Sequence, residues 1–408
     1  MTQDISDPVV SVRDAYKVFG RRPERGVERL KAGETRDDLR EDGITAAVID
    51  ASFDVSDSEI FVVMGLSGSG KSTLIRMVNG LLEPTAGSVK IAGEDIARMG
   101  AADLRKVRRE KVSMVFQNFA LLPHRTVGQN AAYALEVQGV NRSEREQRAE
   151  EALRMVGLDG WGGQRPDQLS GGMRQRVGLA RALAAGSDVM LMDEAFSALD
   201  PLIRREMQDQ LIELQHQLGK TVLFITHDLN EAMRLGDHIA MMRDGRIVQI
   251  GTSEQILNDP ATDYVAQFVQ DVDRTRVLSA ESIMEPPAVT LGAEQGPRSA
   301  HRLMRERQTT SLMVVAHGRR LVGLVTETDV AEAVRSGTQS LDGIIRPVPA
   351  VAAETPLVDL MTAAAESPMA LAVVDDEQRL QGVIPRVTLL NALADPTSTT
   401  TGSMEVIG

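Results

Sequence analysis

The sequence predicts an α/β chain in which a phosphate-loop domain precedes a duplicated βαββα-like unit. Three observations carry this. Gly65-Leu66-Ser67-Gly68-Ser69-Gly70-Lys71-Ser72-Thr73 fits G-x-x-x-x-G-K-[ST] directly after the apolar run Ile60 to Met64. Further short apolar runs, Lys111 to Phe116, Asp188 to Asp193 and Thr221 to Thr226, lie among helical periodicities. Their ends carry polar residues, as expected where buried strands present groups to a ligand. The third observation is a repeat. Leu312 to Val315 matches Leu371 to Val374, Gly323 to Asp329 matches Gly382 to Thr388, and Ile283-Met284-Glu285-Pro286 corresponds to Ile344-Ile345-Arg346-Pro347.

A chain of 408 residues is long enough for two or three domains. Its formal net charge of -13 argues against non-specific nucleic-acid binding, so no nucleic-acid partner is expected. With no cysteine, disulfides, thiolate zinc sites and cysteine nucleophiles are excluded. The start, MTQDISDPVV, carries early acids and no apolar h-region, so no secretory signal is expected. No stretch approaches the roughly 18 apolar residues that span a bilayer, so any membrane role is expected to be peripheral.

Val9 to Phe19 reads as a first strand whose closing aromatic, Phe19, either stacks on a base or packs on the core. Residues 21–43 form a charged, glycine-punctuated insert, read as a short surface helix with loops or as a partly ordered arm. Thr45 to Val55 resumes strand patterning. In the phosphate loop, Gly65, Gly68 and Gly70 let the backbone wrap a triphosphate together with Ser67 and Ser69, and the helix N-terminus adds its dipole. Lys71 is expected on the β- and γ-phosphates, Ser72 on Mg²⁺, and Thr73 on an oxygen nearer the ribose. The helix is expected over Lys71 to Leu82, with a strand at Ser88 to Ile91. Gln117, at a strand end, is placed to touch Mg²⁺ or the attacking water. The apolar Phe119 to Leu122 suggests a surface for another protein, and residues 128–157 read as a charged helical subdomain.

Ser170 caps a helix expected to run to Ala185, and Gly171 and Gly172 permit close backbone approach. In a head-to-tail dimer this loop would cover the γ-phosphate held by the partner's phosphate loop. Asp193 is the expected Mg²⁺ ligand and Glu194 the general base. Asp200 ends a tight turn before the helix Pro201 to Leu218. His227 follows a buried strand as a γ-phosphate sensor. Residues 238–250 read as a hairpin with an Asp-Gly turn.

These pieces occur in the order of one family: phosphate loop at 65–73, Gln117, the LSGGMRQR signature at 169–176, the acidic strand end at 189–194, the turn at 197–200 and His227. The stretch 1–270 resembles the ATP-binding subunit of an ABC transporter, with Met173 where the signature usually has glutamine. MGLSGSGKST, VFQNFALLPH and LMDEAFSALDPLIR, with the 21–43 insert, look like the subfamily importing glycine betaine, proline betaine and related quaternary amines. The resemblance implies an ABC ATPase domain with a mixed sheet and a helical subdomain at about 118–185. It also implies ATP and Mg²⁺ as cofactors, adenine stacked on Phe19, and a homodimer in which Ser170 and Gly172 meet the opposite γ-phosphate. The stretch from Gln117 to Val127 would receive a coupling helix of a membrane permease, and an extracytoplasmic substrate-binding protein would select the cargo. The chain would lie peripherally on the cytoplasmic face of the inner membrane. Another small amino-acid-like solute, or a soluble ABC ATPase without transport, stays open as an alternative.

The C-terminal third resembles a tandem CBS pair, 279–336 and 340–395, with a flexible tail at 396–408, and such a module would regulate transport. In CBS families a Thr and an Asp at the positions of Thr326 and Asp329 hold a nucleotide. The second copy departs from that, with Pro385 and Thr388. Arg298, Arg302, Arg305, Arg307, Arg319 and Arg320 make the first copy locally basic, either as a solvated face or as a surface for anionic lipid.

Overall fold

Continuous apolar runs such as Ile60 to Met64 form strands covered on both faces, and all five of those residues are buried. The computed structural model describes residues 7–270, 278–366 and 369–393, so the tail expected at 396–408 lies outside the described residues. The chain divides into two units between Val269 and Gln270.

In the first unit, β1 (Val10–Phe19) leads through α1 (Pro23–Lys31) and α2 (Arg36–Glu41) to β2 (Thr45–Val55), β3 (Ile60–Met64) and α3 (Lys71–Val78). Next come β4 (Ala86–Ile91), β5 (Glu94–Asp95), α4 (Ala101–Glu110) and β6 (Val112–Phe116). The helices α5 (Val127–Ala131), α6 (Tyr133–Gln138), α7 (Arg142–Met155) and α8 (Gly171–Ala184) separate β6 from β7 (Val189–Asp193). The unit ends with α9 (Pro201–Leu218), β8 (Thr221–Thr226), α10 (Leu229–Leu235), β9 (His238–Arg243), β10 (Arg246–Gly251), α11 (Ser253–Asn258) and α12 (Asp263–Val269). One sheet has the order β2-β1-β4-β5 and the other β10-β9-β3-β8-β7-β6. The second is parallel from β9 to β6, with β10 antiparallel at its edge. Phe53 of one sheet stacks on Phe61 of the other, centroids 5.1 Å apart, within their shared core.

Two expectations need correction. The helix after the phosphate loop stops at Val78 rather than Leu82. Gly80 turns left-handed at φ 66°, and the Leu81 amide reaches back to Arg76 O at 2.9 Å, closing the helix early. The 128–157 stretch, read as helical, is built of three helices, with breaks at Ala132 and at left-handed Gly139. The 21–43 insert is neither an arm nor a single helix. Val27, Leu30 and Leu39 of α1 and α2 are buried with Tyr16, Val18, Ala46 and Ile49 of β1 and β2. Burying one leucine fully is worth about 1.5–3 kcal/mol, enough to seat so short a helix.

The second unit repeats one pattern. The first copy contains α13 (Ala280–Ile283), β11 (Thr290–Gly292), α14 (Pro297–Arg307), β12 (Ser311–Val315), β13 (Leu321–Thr326) and α15 (Glu327–Arg335). The second contains β14 (Ala350–Ala352), α16 (Leu357–Glu366), β15 (Leu371–Val374), β16 (Leu380–Ile384) and α17 (Arg386–Leu393). The lead segment of each copy crosses to the other. Arg346 and Leu324 exchange backbone hydrogen bonds at 2.8 and 2.9 Å, and Glu285 and Val383 do the same at 2.8 and 2.9 Å. Among the described residues, no helix is long and apolar enough to cross a membrane.

Candidate functional site

The parallel strands β3, β6, β7 and β8 end side by side, and their C-terminal ends bring distant motifs together. β3 runs into the phosphate loop, which packs so closely on its neighbours that side chains are excluded. A Cβ at Gly70 would lie 2.2 Å from Ala47 O, and Gly70 takes φ 105° as it caps α3. The amides of Thr73 and Leu74 turn back to Gly70 O at 3.0 and 2.9 Å, so those of Lys71 and Ser72 open the helix.

Lys71 is 4% exposed and donates to Gly65 O at 2.7 Å and Leu66 O at 3.0 Å. Burial pulls its pKa down, and the charges of Glu194 and Asp193 draw it partly back. Ser72 Oγ donates to Asp193 Oδ1 at 3.5 Å. Burial pushes the Asp193 carboxyl up, and Glu194 adds to that, against Arg76, Ser72 and Lys71. Ser69 Oγ is buried without a hydrogen-bond partner.

Beside Asp193, Glu194 adopts a left-handed backbone, φ 46°, at a cost of about 1–2 kcal/mol for a residue with a Cβ. Its amide still bonds Ile225 O at 2.9 Å. The turn sets its carboxylate between two other strand ends. Gln117 Nε2 donates to Glu194 Oε2 at 3.3 Å and to Ser197 Oγ at 3.0 Å, and His227 Nδ1 lies 3.3 Å from the same Oε2. Gln117, expected near the metal, thus directs its amide nitrogen to Glu194. Among the described residues, no cluster of three His, Asp or Glu would hold a metal ion unaided. A divalent ion at Ser72 and Asp193 needs further oxygens of the kind a triphosphate supplies.

Phe19 is 41% exposed at the end of β1 and pairs with Thr45, two residues before the Ala47 that touches Gly70. It therefore stands at the rim of the phosphate loop. Ser170, Gly171, Gly172 and Asp200 gather elsewhere. Ser170 Oγ accepts from the Met173 amide at 3.3 Å, Asp200 caps α9, and a Cβ on Gly172 would meet Ile203 Cγ2 at 2.6 Å. Among the described residues, no hydrogen bond joins Ser170, Gly171 or Gly172 to Lys71 or Asp193.

Some residues at the site received no role of their own from the sequence. Ser197 accepts from Gln117, and Arg76 faces Asp193. Glu231 is buried, its pKa pushed up by burial, and holds Thr226 and Gln208 just behind His227. The spacing His227 to Glu231, one helical turn after a strand end, was the signal available for it.

A family model described as ABC transporter matches residues 48–197, and one described as CBS domain matches 280–336 and 341–395. The glycine betaine/carnitine transport ATP-binding protein of Listeria monocytogenes is 48% identical over 387 residues, covering 94% of this chain and 97% of that protein. The glycine betaine/proline betaine transport system ATP-binding protein of Escherichia coli is 47% identical over 389 residues, covering 94% and 97%. A solved dimer of the ATP-binding cassette MJ0796, bound to ADP and Pi, matches with TM-score 0.51 and 31% identity over 60% of this chain and 98% of that one. With the strand ends arranged as above and 47–48% identity over nearly the full length of these relatives, the chain belongs to the ABC-transporter ATP-binding subunits of the glycine betaine/proline betaine group, with tandem CBS domains.

Proposed function

We propose that the chain is the ATP-hydrolysing subunit of an importer for glycine betaine, proline betaine or a related quaternary amine, acting as a homodimer. The observation that carries this is the division of the motif set. Lys71, Ser72, Gln117, Asp193, Glu194 and His227 converge in one chain, while the cluster of Ser170, Gly172 and Asp200 makes no bond to them. A second copy turned head to tail completes each site.

Phe19 stacks the adenine. Lys71 and the amides of Gly68, Gly70 and Lys71 hold the β- and γ-phosphates, and Ser72 and Thr73 complete the cradle. An unpartnered Ser69 hydroxyl, a desolvated Lys71 and an Asp193 held protonation-prone are each relieved by a phosphate–metal pair, so the residues fit Mg-ATP. Mg²⁺, held by Ser72, Asp193 and Gln117, would neutralise charge developing on the phosphate oxygens. Glu194 accepts the proton of the attacking water, and Gln117 and His227, both on Oε2, keep the other oxygen aimed at it.

A groove of about 430 Å³ beside Gln117, walled by Leu81, Met114, Phe116, Tyr133 and Val137, receives the permease's coupling helix. Leu81 and Val137 are more than half exposed there, which suits a helix-in-groove contact. Arg181 braces this edge by donating to Phe119 O and Ala120 O at 3.1 and 2.6 Å. The chain sits on the cytoplasmic face of the inner membrane through that permease, and a substrate-binding protein selects the cargo. The CBS pair acts as regulator, and the exposed Arg298, Arg302, Arg305, Arg307, Arg319 and Arg320 dock on anionic lipid. Equal flotation of parent and Arg302→Gln/Arg305→Gln chains with anionic vesicles would remove the lipid contact.

The dimer is tested with Glu194→Gln, Mg-ATP and the permease, by light scattering. Dimerisation on nucleotide is expected, and a monomer under all three conditions would overturn the reading.

A further inference from the structure

Residues 21–43 belong to none of the motifs, yet one of their side chains reaches the phosphate loop. Arg36, the first residue of α2, donates from Nη2 to Gly68 O at 3.3 Å, and its Nη1 lies 3.5 Å from Asp244 Oδ1. We infer that the insert is a brace for the phosphate loop, with Arg36 a positioning residue for nucleotide binding. This rests on the ATP site proposed above.

Helix stability supplies no reason for a cation here. Arg36 opposes the dipole of α2 in its first turn, where Asp37 and Asp38 are the favourable residues. Its place is nonetheless well determined. Thr35 and Asp38 form a reciprocal cap, Leu39 is fully buried one turn on, and Arg29 pairs with Glu34 and Asp42 on either side of α2. Asp244 is equally constrained, since it sits in the β9–β10 turn beside Gly245. The Gly245 amide donates to Ser69 O at 3.0 Å, and Gly245 O accepts from Ile49 at 2.8 Å.

The loop is therefore gripped through successive carbonyls, Gly68 by the insert and Ser69 by the turn. With carbonyls engaged from outside, the amides are held toward the phosphate side. A guanidinium on the Gly68 carbonyl also polarises that peptide, whose Ser69 N–H donates to Leu66 O at 3.2 Å, so the same contact firms the turn that shapes the front of the loop. Binding is affected in ground and transition states alike, which places the effect in KM rather than kcat.

The test uses the full chain, with a fluorescent ATP analogue for Kd and steady-state hydrolysis for KM and kcat. Arg36→Gln is expected to raise Kd and KM about three- to tenfold with kcat nearly unchanged, the scale of one charge-assisted hydrogen bond at a partly exposed site. Arg40→Gln, the same change at an exposed position of the same helix, should leave both constants alone. Asp244→Asn keeps the left-handed turn and should raise Kd less, and the double variant should fall short of the summed effects because Asp244 acts through Arg36. Unchanged Kd in Arg36→Gln overturns the inference, whether or not its melting temperature falls. Lys71→Ala separates the two proposals: if it too leaves Kd unchanged, the ATP site itself is misplaced.

Discussion

At the end of β7 the Asp193 carboxyl is held above its usual range by burial, whereas at the start of α15 Asp329 is held below it by Arg346 and Thr326. Both acids stand at a strand-to-helix or strand-to-loop junction, and both have a hydroxyl at hand. Ser72 Oγ is a distant 3.5 Å from Asp193, while Thr326 Oγ1 donates to Asp329 at 2.7 Å and Arg346 at 2.6 Å. The second copy shows the same joint in different chemistry, with Thr388 Oγ1 donating to Glu285 at 2.5 Å. Polar groups left short of partners mark a place that awaits a ligand, and groups fully partnered mark a joint. By that measure Thr326 and Asp329, a nucleotide position in CBS families, serve here to fasten the two repeats together.

The largest expected effect breaks the comparison on the ligand-awaiting side. Glu194→Gln keeps the cradle and removes the base, so turnover should fall by about 10²–10⁴-fold or more while nucleotide affinity stays near that of the parent. Asp329→Asn, the same chemical change at the joint, should leave turnover of the isolated chain within about twofold, since only ligand-facing acids enter the chemistry. Loss of turnover in both would mean that the joint is not separate from catalysis.

The next effect falls on the joint. A Cβ at Gly323 would lie 2.4 Å from Arg346 O, in the crossover that ties the copies. Gly323→Ala should cost about 1–3 kcal/mol of overpacking, read by urea unfolding of the intact chain. Thr326→Ala removes the cap of α15 and one of the two donors to Asp329, for about 1 kcal/mol. If Gly323→Ala unfolds at the parental midpoint, the crossover is looser than these distances state.

Why some of this was legible in the residues and some was not follows from range. A strand, a glycine loop and a helix are dictated within a dozen residues, so β3, the loop and the start of α3 were readable. The repeat was readable because two copies confirm one another. The end of α3 was not, because Gly80 packs on Leu104, a contact more than twenty residues away. The insert's fold depends on Val27, Leu30 and Leu39, too sparse among charges to show periodicity. Gln117 was placed at the site by its strand end, but its nitrogen's choice of Glu194 depends on the left-handed backbone at 194, which no local pattern announces.

Glu231 sharpens the comparison from between, for it is fully partnered and yet its pKa is pushed up by burial. A carboxyl with a raised folded-state pKa binds its proton more tightly when folded. Its contribution to stability is complete below the unfolded value, near 4.3, and declines as pH rises through the folded one, by about 1.4 kcal/mol for every tenfold difference in proton affinity between the two states. Glu231→Gln has no charge to lose and can still accept from Thr226 and meet Gln208. The melting temperature of the parent relative to Glu231→Gln should therefore fall as pH rises above the unfolded carboxyl's value, and the two curves should converge at the acid end. Because Thr226 Oγ1 also accepts from the Asp228 amide at 3.0 Å, a negative Glu231 tightens the turn that carries His227. Two melting curves that stay parallel across that range would put Glu231 with Asp329, as a joint whose burial costs nothing.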